Sequence, residues 1–245
     1  MHRFFLNQTS FEQENILLSD PKEIHHLKNV LRLKPKQQIQ IFNRDGQEIV
    51  GTITTLTKDR IEIRRDYTIP AKKEKSIHLI LACALPKRAK FEFIIEKCTE
   101  LGVDEIIPLK TERTEVFLSE ERAQKKKDRY QTVAVNAAKQ SGRRDIPKIH
   151  PPQKIPQVLH GLGHDTTIFI PCLTGQRQES LHHAFQQKDL KTKIAFFIGP
   201  EGDFTLAEIN LVRQAGGIPV SLGNLVLKVD TAALAVVSFS TLFYS

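Results

Sequence analysis

Hydrophobic positions along the chain change period twice, and each change marks a new kind of element. After Asp20-Pro21-Lys22-Glu23, apolar residues recur at Ile24, Leu27, Val30 and Leu31. That spacing puts one stripe on a helix, with Asp20 as N-cap, Pro21 at the first helical position and Glu23 three residues after the cap. The helix is expected to stop near Leu33-Lys34-Pro35, because a residue before proline avoids helical backbone. From there the period falls to two: Ile39 and Ile41, then Ile49, Gly51 and Ile53, then Ile61 and Ile63. Asn43-Arg44-Asp45-Gly46 supplies a hairpin turn between the first two of these strands. A small β-rich domain over residues 1–74 is predicted, with Ala71-Lys72-Lys73-Glu74-Lys75 as a polar linker at its end.

The remaining residues, 75–245, alternate strand and helix. Residues 77–85 form a continuous apolar strand. A helix over 88–101 follows, with Phe91, Ile94, Ile95, Cys98 and Leu101 at helical spacing and Gly102 as its stop. A strand is expected at 106–109, then a long basic amphipathic helix at 119–140. Short buried strands follow at 167–171, 194–198 and 218–222, with helices between them. Apolar strands separated by helices point to a parallel α/β sheet covered on both faces. The chain then ends in a helix, from Asp230 or Thr231, that is apolar nearly all round. Such a helix is expected to be buried on all sides, in the molecule or in a subunit interface.

Composition narrows the class. With 40% apolar and 26% charged residues in 245, the chain can bury a sizeable core. No apolar run approaches the length of a membrane span, and residues 1–8 lack the apolar stretch of a signal peptide, so a cytoplasmic protein without membrane contact is expected. Three scattered cysteines form no CxxC, so no metal site is expected. The net charge of +8 is uneven: residues 1–74 carry +3, residues 75–165 carry +5, and residues 166–245 are neutral. The first two thirds can therefore face a polyanion, although a basic surface alone does not require one.

Three segments carry candidate chemistry. In the first, a strand ends in Gly199-Pro200-Glu201-Gly202, and Thr205 with Glu208 then opens a helix as a capping box. Glycines at such a turn let a ligand approach the backbone, though every α/β protein also needs plain turns of this kind. No Gly-Lys-Ser/Thr and no early GxGxxG occurs, against a phosphate-loop or Rossmann nucleotide site. In the second, Leu222-Gly223 is followed by an oddly apolar loop, Asn224-Leu225-Val226-Leu227, then Lys228-Val229-Asp230. Loops normally face water, so this one is expected to be buried against something. In the third, a helix ends at Gln140-Ser141-Gly142, followed by Arg143-Arg144. Such a pair suits phosphate oxygens, and equally suits a solvated helix end.

These three segments, together with the helix from Lys90 to Val103, resemble the RsmE family over essentially the whole chain. The resemblance implies a PUA-like RNA-binding domain at 1–74 and a trefoil-knotted SPOUT methyltransferase domain at 75–245. It implies S-adenosylmethionine as cofactor, methylation of N3 of a uridine in 16S rRNA of the small ribosomal subunit, and a homodimer. The knot loop would be 222–228, threaded through the fold. Pro171, Cys172, Gly199, Pro200, Glu201, Gly202, Leu222, Gly223, Leu225 and Leu227 would hold the cofactor, largely through backbone. Arg3, Lys28, Arg32, Lys90, Arg143 and Arg144 would meet RNA. Arg3, Arg143, Lys228 and Asp230 would serve the transfer, Lys228 as a charge stabiliser and Asp230 as proton acceptor, orienter or plain helix cap. The loop departs from the usual Gly-Pro-Arg-apolar-Leu-Arg-apolar-Glu-Thr-Ala: Asn224 replaces Pro, Leu225 and Lys228 replace the two Arg, and Asp230 replaces Glu. Two other classes remain open on the sequence, a non-catalytic RNA-binding assembly factor and a SPOUT enzyme for another RNA.

Overall fold

The computed structural model describes residues 1–7, 10–70, 76–86, 91–113, 120–173, 178–187 and 189–244. Its contacts divide the chain into two units, Met1–Glu74 with Ala138–Ile146, and Lys75–Ala137 with Pro147–Ser245.

The first unit is built on a five-stranded sheet. Its elements are β1 (Arg3–Phe5), β2 (Asn15–Leu18), α1 (Pro21–His25), β3 (Gln38–Phe42), β4 (Glu48–Leu56) and β5 (Ile61–Ile69), in the sheet order β1-β3-β4-β5-β2. Ile39, Ile41, Ile49, Ile53, Ile61 and Ile63 are all fully buried, as a two-residue period on one covered face requires. The Asn43 side chain accepts from the backbone N–H of Asp45 and Gln47, and Gly46 takes φ +75°, so the hairpin turn is held locally. Asp20 caps α1 by accepting from the N–H of Lys22 at 2.7 Å. Beyond His25 the helix continues as a π-helical turn, His26–Val30. Widening the turn changes the phase of the stripe: Ile24 and Leu27 stay buried, but Val30, expected in the core, is 63% exposed.

The second unit contains β6 (His78–Ala84), α2 (Phe91–Glu100), β7 (Glu105–Lys110), α3 (Glu120–Ser141, whose end from Ala138 belongs to the first unit), β8 (Lys148–Ile149), β9 (Gln153–Lys154), α4 (Ile155–Gly161), β10 (Thr166–Pro171), β11 (Glu179–Ser180), α5 (Leu181–Gln187), β12 (Lys193–Ile198), α6 (Leu206–Gln214), β13 (Ile218–Ser221) and α7 (Val229–Phe243). The strands form one sheet in the order β11-β13-β10-β12-β6-β7-β8, with β9 also on β7, and every pairing is parallel. On one face, Ile80, Ala82, Ala195 and Phe197 pack with Ile155, Val158, Ile209 and Val212 of α4 and α6. On the other, Phe169 and Phe196 stack with Phe185 of α5, which meets Phe239 of α7 edge-on. Helices on both faces explain the uninterrupted apolar strands. Helix α2 stops at Gly102 (φ +100°), where the Val103 N–H reaches back to the Cys98 carbonyl at 3.0 Å. Ser240 is buried and satisfied by the Val236 carbonyl, while Thr241 donates to the Leu101 carbonyl.

At the N-terminal edge of this sheet, Glu105 joins three adjacent strands. Its two oxygens meet His150 Nε2 at 2.5 Å and His78 Nε2 at 2.9 Å. Those two imidazoles hold the Glu105 carboxyl well below the usual range, and the bond to Glu105 raises His78 above its ordinary value.

Candidate functional site

Strands β10, β12 and β13 are neighbours and run in the same direction, so the segments that leave them emerge together at the C-terminal edge of the sheet. In open α/β sheets that edge is where ligands bind. Here the segments following the three strands enclose a cleft with about 640 Å³ of empty space, its open mouth included. Pro171, Cys172, Gly199, Pro200, Glu201, Leu222, Gly223, Leu225 and Leu227 line it, so the structure brings these candidates to one place. Gly202 is not among the lining residues; its carbonyl accepts a hydrogen bond from Arg113.

The turn after β12 is fixed from within. A Cβ on Gly199 would lie 3.1–3.2 Å from ring carbons of Phe204, which is fully buried. The missing side chain at Gly199 thus lets the turn fold back closely on its own phenylalanine, a reason different from open access for a ligand. Thr205 and Glu208 form the capping box, and the second Glu208 oxygen accepts from the Glu112 N–H at 2.9 Å. Gly223 has φ +127°, a backbone conformation that L side chains rarely adopt. Cys172 is buried, accepts from the Gln178 amide at 3.1 Å, and has its thiol pushed up by burial.

The charge of the cleft has one sign. Glu201 and Asp203 are its two ionisable carboxylates, and none of the described lining residues is cationic. A third carboxylate is close by. Cys83, at the end of β6 beside Ile198, is fully buried, and burial pushes its thiol up, with Cys98, Glu201 and Asp230 adding to the shift. Glu201 and Asp230 thus both act electrostatically on the buried Cys83. Asp230 sits in the first turn of α7, where the helix dipole favours a carboxylate. Lys228 is the N-cap residue of that helix through its backbone, and its side chain is exposed.

Two expected burials in this region are incomplete within a single chain. Leu225 is 79% and Val226 75% exposed, so within one chain the apolar loop is not buried. Helix α7 is buried along Val229, Ala233 and Val236, where it packs on the sheet and α2, but Leu242 is 73% exposed.

The remaining candidates lie in the first unit or outside the described residues. Arg3 donates to Glu48 at 2.7 Å and to the carbonyls of Ala138 and Arg143 at 3.0 Å, and stacks on Phe42. Arg144 also pairs with Glu48, at 2.9 Å, and Arg143 pairs with Asp145. Lys28 donates to the Thr57 carbonyl at 3.0 Å. Arg32 is exposed at φ +52°. Lys90 lies outside the described residues. Among described residues, no group of three His, Cys, Asp or Glu is placed to hold a metal, and no helix is long and apolar enough to cross a membrane.

Sequence reasoning missed Asp203. Its signal was available in part: an Asp between Gly202 and the capping box, at a position where aspartate tolerates left-handed backbone.

Residues 73–240 match the family model of an RNA methyltransferase domain, and residues 18–64 that of an RNA methyltransferase PUA domain. Ribosomal RNA small subunit methyltransferase E of Bacillus subtilis is 29% identical, over 98% of this chain and 97% of its own. The protein of the same name from Buchnera aphidicola subsp. Schizaphis graminum is 31% identical, over 93% and 91%. The crystal structure of a ribosomal RNA small subunit methyltransferase E from Neisseria gonorrhoeae, bound to S-adenosyl methionine, superposes with a TM-score of 0.88 at 28% identity, covering 100% of this chain and 98% of that one.

Proposed function

The chain belongs to the ribosomal RNA small subunit methyltransferase E family, and from that membership we propose that it moves the methyl group of S-adenosylmethionine onto N3 of a specific uridine in the 16S rRNA of the small ribosomal subunit. The observation that carries the cofactor assignment is the cleft: it lies at the C-terminal edge of three parallel strands, is rimmed by apolar residues, and has two carboxylates with no cation among its described lining. A nucleotide bearing phosphates would be repelled there. A sulfonium bearing an adenosine would be favoured.

S-adenosylmethionine supplies an electrophilic methyl group. The backbone edges of 171–173, 199–203 and 222–227 would hold it, with Leu222, Leu225 and Leu227 covering the adenine. The uracil N3–H is a weak acid, and its nitrogen attacks well only as that proton leaves. Asp230, at a helix N-terminus beside the cleft, is assigned to orient or accept that proton. Lys228, exposed two residues before it, is assigned to stabilise charge on the uracil oxygens. Arg3 and Arg143 complete this reading. Their guanidinium groups are engaged inside the first unit, with 10% and 8% of their side chains exposed, which favours a positioning role.

RNA contact is assigned to the first unit, where Arg32, Lys34 and Lys36 are exposed together. The trefoil knot and the homodimer belong to the same reading. A second copy would cover the apolar surface of Leu225, Val226, Leu242 and Phe243. A ribosomal substrate would be met in the cytoplasm, which is the location this reading carries.

The test is transfer of labelled methyl from S-adenosylmethionine to small subunits lacking the modification, in parallel with naked 16S rRNA, followed by nucleoside analysis. N3-methyluridine is expected, with Lys228→Ala and Asp230→Asn each lowering turnover by about a hundredfold. Label in another nucleoside, or none, would overturn the proposal, and full turnover in both variants would remove these two residues from the transfer.

A further inference from the structure

Asp203 holds an unusual position. It is one of three described non-glycine residues with positive φ, at +59°. Its own N–H closes the turn onto the Pro200 carbonyl at 2.9 Å. Its carboxylate then does two things. One oxygen accepts from the N–H of Phe204 at 2.8 Å, bracing the residue that Gly199 packs against. The other accepts from the N–H of Leu173 at 2.8 Å, thirty residues away on the segment that leaves β10. Asp203 also lines the cleft.

We propose that Asp203 is a positioning residue that sets the width of the cofactor cleft by tying the segment after β10 to the turn after β12. The two segments come from adjacent parallel strands, and nothing in the strand pairing itself fixes them beyond Pro171 and Ile198. Past those residues the backbone needs another partner, and the N–H of Leu173 finds it in a carboxylate. A charge-assisted bond of this kind is about twice as strong as a neutral one. It is also local in effect, because it joins the two walls of one cleft and does not lie in the core. The left-handed backbone at Asp203 is what aims the side chain back across the cleft while its N–H stays in the turn. Glycine would accept the same φ but would leave the Leu173 N–H without this acceptor.

The same carboxylate adds charge where a sulfonium is expected. S-adenosylmethionine carries one positive charge more than S-adenosylhomocysteine, the product. The geometric role therefore acts on both ligands, and the charge acts on the first alone. This inference rests on the cofactor assignment above, and the experiment separates the two. Wild type, Asp203→Gly and Asp203→Asn are titrated with S-adenosylhomocysteine and with S-adenosylmethionine by calorimetry, and their thermal unfolding is recorded. No binding of either ligand by wild type would sink the cofactor assignment itself. With wild-type binding present, Asp203→Gly is expected to weaken S-adenosylhomocysteine about tenfold at nearly unchanged Tm, since glycine fits the backbone. Asp203→Asn keeps one acceptor and is expected to weaken it about threefold, with a larger loss for S-adenosylmethionine. Wild-type affinity for S-adenosylhomocysteine in a folded Asp203→Gly protein would overturn the inference. Losses of affinity that appear in both variants only together with a large fall in Tm would overturn it too, since they would assign Asp203 to general stability.

Discussion

Glu105→Gln removes the charge that joins the N-terminal ends of β6 and β7 to the segment after β8, and the structure fixes both the size and the pH range of the effect. The carboxylate takes bonds from His150 at 2.5 Å and His78 at 2.9 Å, and its side chain is 23% exposed. A hydrogen bond to a charged group contributes about 1.5–3 kcal/mol, and glutamine retains one acceptor, so a net loss of about 2 kcal/mol is expected after allowing for solvent screening. In a chain of this length that corresponds to a fall in Tm of about 4–8 °C. The folded carboxyl is depressed below 4.5, so its contribution is present above that value and is lost as pH falls through the lower folded one. His78 is raised above 6.5 by Glu105, with Asp104 adding and burial and Lys193 opposing. Its contribution is complete below 6.5 and is lost as pH rises through the higher folded value. The difference in Tm between wild type and variant should therefore peak between about pH 4.5 and 6.5 and shrink on either side. Thermal unfolding by circular dichroism across pH 4–9 reads this directly. A difference that is flat with pH, or absent at pH 6, would refute the account of Glu105 as a charged clamp.

Two further outcomes follow from close contacts. Gly199→Ala pushes a methyl to 3.1 Å from a phenylalanine that is 1% exposed and cannot swing outward, so a Tm lower by about 4 °C and weaker S-adenosylmethionine binding are expected; unchanged values in both assays would mean that the turn yields freely. Arg3→Ala leaves Glu48, 5% exposed, with Arg144 alone, and should cost about 2 kcal/mol in urea unfolding. Arg3→Lys should not restore it, because one ammonium cannot reach Glu48 and the carbonyls of Ala138 and Arg143 together, and wild-type stability in that variant would contradict the network.

What could be read from the sequence was local. Asp20 as a cap, the Asn43–Gly46 turn, the Gly102 stop and the Thr205–Glu208 box each depend on residues within a few positions of one another, and each stands in the structure. The parallel order was legible as a class, because strands covered on both faces lose their alternation. The π-helical turn was not, since one extra residue per turn leaves no mark in composition, and Val30 was misplaced for that reason. Nor was the Glu105 clamp, whose partners stand 27 and 45 positions away. Leu225 and Val226 mark a different limit. Their apolarity was visible, but a single chain offers them no cover, so burial inferred from residue type did not translate into burial within the chain.

The order of strands also governs when the second unit can form. Strand β6 pairs with β7 nearby, but its other neighbour, β12, places Lys193 beside His78, 115 positions earlier. Strand β10 in turn waits for β13, which begins at Ile218. During synthesis the centre of this sheet therefore stays open until nearly all of these residues have left the ribosome, with the apolar edge of β6 awaiting a partner. Non-local parallel pairing of this kind is slow to nucleate. The second unit should therefore complete its sheet only after the strand beginning at Ile218 has emerged, and chaperone contact with nascent chains should concentrate on the stretch between β6 and β12.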